Sequence, residues 1–150
     1  MIEVNNLTAN SVDEESLKKI IRQVLQGEGV KEEFELSVAF VGQDRMRGIN
    51  KRYRGKNRAT DILSFPESKI TMENFKIGPA QKTRGLGEMI ICLREVKKNA
   101  DKEGIPFATE FNKVVIHGVL HLLGYDHEVE ESEAKKMLAK EDYYLSSINL

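Results

Sequence analysis

All three histidines of this 150-residue chain fall within eleven positions, in the stretch IHGVLHLLGYDH from Ile116 to His127. His117 and His121 are four residues apart, so on a helix their side chains leave one face, one turn above the other. Two imidazoles at that spacing reach a single ion. Gly124 can take the positive φ that ends a helix and reverses the chain, which would return His127 toward the pair. Three neutral nitrogens suit one tetrahedral zinc ion, Zn(2+), with a fourth position open to water, as in a catalytic site. They leave the full dipositive charge on the ion, able to polarise water or a phosphoryl oxygen. Imidazole also suits nickel and cobalt, and zinc is the expected occupant. Ordinary histidines are a poor account of this pattern. Two unpaired imidazoles buried on an apolar helix would cost on the order of several kcal/mol.

The spacing His-x-x-x-His-x-x-Gly-x-x-His is that of the metzincin zinc peptidases, with one departure. A peptidase needs a glutamate at position 118 to deprotonate the water and later protonate the leaving amine, and Gly118 can do neither. Glu110 precedes it by two turns, about 12 Å along the axis. Peptide hydrolysis is therefore a poor fit. Phosphodiester cleavage asks less of a carboxylate base when a metal and an arginine neutralise the phosphate. Ser64 has no histidine at a meaningful offset and is not a candidate nucleophile.

The charge needed for a phosphate is present. From Arg45 to Arg58, RMRGINKRYRGKNR carries seven basic residues and no acidic one, whereas Glu128 to Asp142 has six acids against three lysines. A charge run is often only a solvated face, but an acid-free basic run suits an RNA backbone. Arg54 is the candidate for holding the scissile phosphate, because a planar guanidinium grips two oxygens better than an ammonium does. Arg52, Lys56 and Arg58 are further candidates for backbone contacts. Tyr53 could stack on a base, but its spacing from Met46 and Ile49 places it in the core. Asp61 either orients Arg54 or stabilises a turn, and Asp126 either supports a ligand histidine or stabilises its own turn.

The elements that must position these residues follow from periodicity. Ile2–Leu7 reads as a strand, and Ser11 with Glu14 as a capping box ahead of a helix carrying Leu17, Ile20, Ile21, Val24 and Leu25. Phe34, Leu36, Val38 and Phe40 alternate as a strand. Asp44–Arg54 reads as a helix with Met46, Ile49 and Tyr53 inward, and Asp61–Pro66 as a strand ended by proline at a sheet edge or exit. Residues 67–84 read as a long loop, Leu86–Leu93 as a strand and Arg94–Lys102 as a helix. Phe107–Leu123 is a helix with almost no polar face, hence central and buried. A last helix spans about Glu130–Leu145. About four strands and five helices without strict alternation indicate α+β: one domain over residues 1–150, a mixed sheet packed by helices.

Composition agrees with a globular chain, at 40% apolar and 31% charged residues with a net charge of −1. No apolar run approaches the roughly 18 residues of a membrane span. MIEVNNLTAN has neither the basic start nor the apolar core of a signal peptide. The single cysteine, Cys92, reads as a small buried hydrophobe in a reducing compartment, so a cytoplasmic location is expected.

Three blocks in order, NKRYRGKNRATDILSFP (50–66), GLGEMIIC (85–92) and HGVLHLLGYDH (117–127), resemble the YbeY family of bacterial endoribonucleases. The resemblance implies an α+β domain with zinc held by His117, His121 and His127, and functionally important roles for Arg54 and His117. It also implies cleavage of single-stranded RNA in small-subunit (16S) ribosomal RNA maturation and ribosome quality control. Ribosomes and small-subunit assembly factors are the implied partners, with no DNA and no membrane. Two other readings stand beside it: a zinc amidase or peptidase with an unusual base, and a non-catalytic ribosome assembly factor with a structural zinc.

Overall fold

The computed structural model describes residues 1–67, 83–125 and 130–148. Among these, the elements in chain order are β1 (Ile2–Asn6), α1 (Glu14–Gly27), β2 (Glu33–Phe40), α2 (Gln43–Arg54), β3 (Ile62–Pro66), β4 (Thr83–Ile91), α3 (Leu93–Glu103), α4 (Phe107–Leu122) and α5 (Glu131–Ile148). The strands form one mixed sheet in the order β1-β2-β4-β3. β1, β2 and β4 run parallel, and β3 joins antiparallel at one edge. Pro66 ends that edge strand, where its missing N–H is tolerated. The expected α+β architecture is the one the chain forms. Most of the expected 67–84 loop lies outside the described residues.

Alternation along the strands divides the apolar residues between two faces. Leu36, Val38 and Phe40 of β2 join Met89 and Ile91 of β4 in the main core, with the stripe Leu17, Ile20, Ile21, Val24 and Leu25 of α1. Val114, Val115, Val119 and Leu120 of α4 complete its centre, with Met137 and Tyr144 from α5. On the opposite face Leu63, Ile90 and Cys92 pack with Met46 of α2. Burial raises the Cys92 thiol pKa above its ordinary value, as befits a core residue rather than a nucleophile. Helix α4 touches α1, α3, α5, β3 and β4, so it is the central helix that its apolar composition predicts. No helix among the described residues is long and apolar enough to cross a membrane.

Two local expectations need correction. Asp13, not Ser11, caps α1: its side chain accepts a hydrogen bond from Ser16 N at 3.1 Å. A carboxylate there satisfies an orphan donor and also meets the positive end of the helix dipole. Tyr53 is not core but 60% exposed. It lies near the end of α2, beside the edge strand, where Phe65 meets its ring edge-on at 5.4 Å between centroids. The buried polar residue of this helix is Asn50, whose Nδ2 donates to Arg58 O at 2.9 Å and ties the basic loop back to the helix.

Glu28, just past α1, joins three elements. It accepts hydrogen bonds from Tyr125 Oη at 2.5 Å, from Lys140 Nζ at 3.1 Å, and from Tyr144 Oη. Burial works to raise its carboxyl pKa, but the bonds from Tyr125, Tyr144 and Lys140, with the Lys140 charge, outweigh it and hold the pKa below the ordinary 4.5. The Tyr125 hydroxyl is correspondingly pushed up to about 12, first by its bond to Glu28. A lowered carboxyl pKa contributes stability that is full above the unfolded value and is lost as pH falls through the folded one. Glu28→Gln should cost about 2 kcal/mol at pH 7. In urea titrations its deficit against wild type should hold down to about pH 5 and shrink below 4.5. A deficit that grows in acid would contradict this sign.

Candidate active site

Helix α4 carries its buried apolar residues toward the core and one polar stripe toward a cavity. Glu110, Val114, His117 and His121 follow at helical intervals of four, three and four residues, and all line that cavity. The cavity has a volume of about 720 Å³. It lies at the edge-strand side of the sheet, where Thr60 to Pro66 form another wall and Arg54 reaches it from the end of α2. Placement at a sheet edge explains how residues from opposite faces meet: Ile62 belongs to the main core, Leu63 to the α2 side.

The His117 and His121 rings stand 4.6 Å apart between centroids at an interplanar angle of 71°. His117 Nδ1 contacts Oε1 of Glu141, a buried carboxylate on α5. A neutral imidazole that donates from Nδ1 presents its lone pair at Nε2, so this contact selects the tautomer suited to holding a metal. The chemistry of the donor set therefore fits zinc: two imidazoles converge on one cavity, and one is oriented by a carboxylate. Among the described residues no group of three histidine, cysteine or acidic side chains is arranged around a common point. The third expected ligand, His127, and its neighbour Asp126 lie outside the described residues.

Gly118 is not among the residues that line the cavity. A Cβ built on it would stand 2.6 Å from Ile62 Cδ1, 2.6 Å from Met89 Sδ and 3.3 Å from Ser64 Oγ. The glycine lets α4 lie close on β3 and β4, which brings the histidines over the edge strand. Gly124 has φ +105°, the left-handed conformation expected after the helix. The next residue, Tyr125, is held by Glu28, which anchors the chain two positions before His127.

Arg52, Arg54, Lys56 and Arg58 are all exposed, and of these four Arg54 lines the cavity. Asp61 also lines it, but its hydrogen bonds brace the start of β3. Oδ1 accepts from Ile62 N at 2.7 Å and Thr60 Oγ1 at 3.4 Å, and Oδ2 from Asn99 Nδ2 at 3.3 Å.

Six polar residues of the cavity were not expected as site members: Thr60, Lys113, Tyr125, Glu110, Ser64 and Glu141. Glu110 is 7% exposed, and its Oε2 and Ser64 Oγ are buried without a hydrogen-bond partner among the described residues. Glu141 did leave a signal. Met137, Glu141 and Tyr144 share the buried face of α5, so an acid stands where periodicity asks for an apolar residue.

The comparisons with known proteins agree with this geometry. The family described as Endoribonuclease YbeY matches residues 3–149. A protein named Endoribonuclease YbeY from Geobacillus thermodenitrificans is 39% identical over 148 residues, covering 99% of this chain and 93% of its own. One of the same name from Bacillus cytotoxicus is 39% identical over 134 residues, covering 89% and 85%. The solution structure of TM1509 from Thermotoga maritima superposes with a TM-score of 0.67 at 31% identity, over 99% of this chain and 89% of that one. A likeness that runs through every element from β1 to α5 leaves one assignment: the chain belongs to the YbeY endoribonuclease family and is a hydrolase that cuts RNA internally.

Proposed function

We propose that this endoribonuclease is zinc-dependent and specific for single-stranded RNA, with one ion held by His117, His121 and His127. The observation that carries the reading is the His117–His121 pair, with Glu141 behind it, in one cavity with Arg54. Zinc bound there would supply Lewis-acid stabilisation of charge on the phosphate. The protein's own groups do the rest. Glu141 holds the His117 ring in one orientation, the Arg54 guanidinium binds a phosphate oxygen pair, and Asn50 keeps the basic loop in place for the backbone on either side. A glutamate base of the peptidase kind has no room at position 118, which favours a phosphodiester over a peptide.

The physiological substrate under this proposal is small-subunit (16S) ribosomal RNA, cut during maturation and in ribosome quality control. Ribosomes and small-subunit assembly factors are the partners and the cytoplasm is the location. Support comes from the family, the exposed basic loop and the buried, unpaired Cys92.

Metal removal tests the chemistry. Chelation should abolish cleavage of a single-stranded RNA, and one equivalent of zinc should restore it. Glu141→Ala should bind zinc about 10- to 100-fold more weakly in competition with a chromogenic chelator. Cleavage indifferent to chelation, in protein carrying less than about half an equivalent of metal, would overturn the zinc assignment.

A further inference from the structure

Tyr53 is a large aromatic side chain left 60% exposed one residue before Arg54. A single exposed tyrosine needs no explanation in general. This one is braced. Phe65, which lines the cavity, meets its ring in an edge-on contact, 5.4 Å between centroids at 67°. The guanidinium carbon of Arg52 lies over the ring, 5.4 Å from its centroid. The ring touches both groups and is still mostly exposed, so it presents aromatic surface beside Phe65 of the cavity wall. Exposed cations flank it at positions 52, 54, 56 and 58.

We propose that Tyr53, supported by Phe65 and Arg52, is a stacking platform for one unpaired base of the RNA strand that Arg54 holds by its phosphate. The proposal rests on the single-stranded RNA reading and deepens it. Every base has a π face, so such a platform is tolerant of sequence, and Arg52 adds a cation–π contribution from over the Tyr53 ring, leaving the other face for the base. A base in a duplex is already stacked on both faces and cannot offer one. The platform thus supplies a physical reason for preferring single strands. Charge complementarity favours RNA as the occupant over an apolar protein surface, because the surroundings of the ring are cationic.

The test is single-turnover cleavage of a labelled single-stranded RNA by excess protein, which separates the half-saturating concentration from the maximal rate. Tyr53→Leu keeps an apolar side chain but no ring. It should raise the half-saturating concentration about tenfold and change the maximal rate less than about twofold. Tyr53→Phe should remain within about twofold of wild type. Replacing nucleotides one at a time by abasic ones should reveal a position where wild type loses affinity and Tyr53→Leu loses no more. Equal saturation by wild type and Tyr53→Leu overturns the platform, and so does a Tyr53→Phe as weak as Tyr53→Leu, which would implicate the hydroxyl. Failure of wild type to cut single-stranded RNA at all overturns the underlying reading and the platform with it.

Discussion

Arg54→Ala should cut single-stranded RNA about 100- to 1,000-fold more slowly than wild type at saturation, with an unaltered fold. The size follows from the role proposed for Arg54, a charge-assisted donor to the phosphate in a partly enclosed cavity. The fold survives because the residue is exposed and ends α2. Lys51 and Arg52 remain in the same last turn to meet the negative end of the helix dipole, so the stability change should stay within about 1 kcal/mol. Arg54→Lys discriminates further. It keeps the charge but loses the planar fork, and should recover only part of the rate. Single-turnover cleavage of wild type, both Arg54 variants and His121→Ala, side by side, is the measurement. If Arg54→Ala and His121→Ala cut as fast as wild type, the activity belongs to a contaminating nuclease and the site assignment fails.

Gly118→Glu should not yield a peptidase; it should strongly destabilise the protein. The added carbons enter a contact with Ile62 and Met89 that is already closed at the first one, and Met89 is fully buried. Overpacking alone costs about 1–3 kcal/mol. A carboxylate pressed against Ile62 and Met89 adds several more. The sum, roughly 4 kcal/mol or more, consumes much of a stability of about 5–15 kcal/mol. Gly118→Ala should be far milder, because about 1 kcal/mol of helix propensity offsets the crowding, and the tips of Ile62 and Met89 can yield. Urea denaturation of both variants checks the pair. A Gly118→Glu as stable as wild type would refute the packing account and reopen the peptidase reading.

The elements were largely legible because their information is local. The stripe on α1, the alternation of β2 and the apolar run of α4 each state a periodicity that a short segment contains in full. Asp13 and Tyr53 show where local information fails. At α1 two capping residues compete within three positions, and the one placed to accept from the Ser16 N–H of the first turn wins. At Tyr53 the period points correctly along the helix face, but a period cannot say that α2 reaches the sheet edge there. Glu110 and Glu141 failed for a third reason. Each is an acid on an otherwise buried face, and the compensation for such a residue sits on another element or in a cavity.

What the sequence alone determined is the chemistry on offer: two histidines one helical turn apart, a glycine permitting reversal before a third, and an acid-free basic run ending in Arg54 and its loop. Those depend on residue identity and on spacing within one segment. Only the tertiary structure decided which groups share a cavity. It brought Arg54 around the edge strand to α4, set Glu141 from 24 residues away behind His117, and turned Tyr53 outward. It also reversed the sense of Gly118. In the sequence that glycine is a missing base, whereas in the fold it is the close contact that seats the histidine helix on the sheet. The physical reason is common to all four. Contacts across elements depend on where whole helices and strands dock, and no spacing along one segment encodes that.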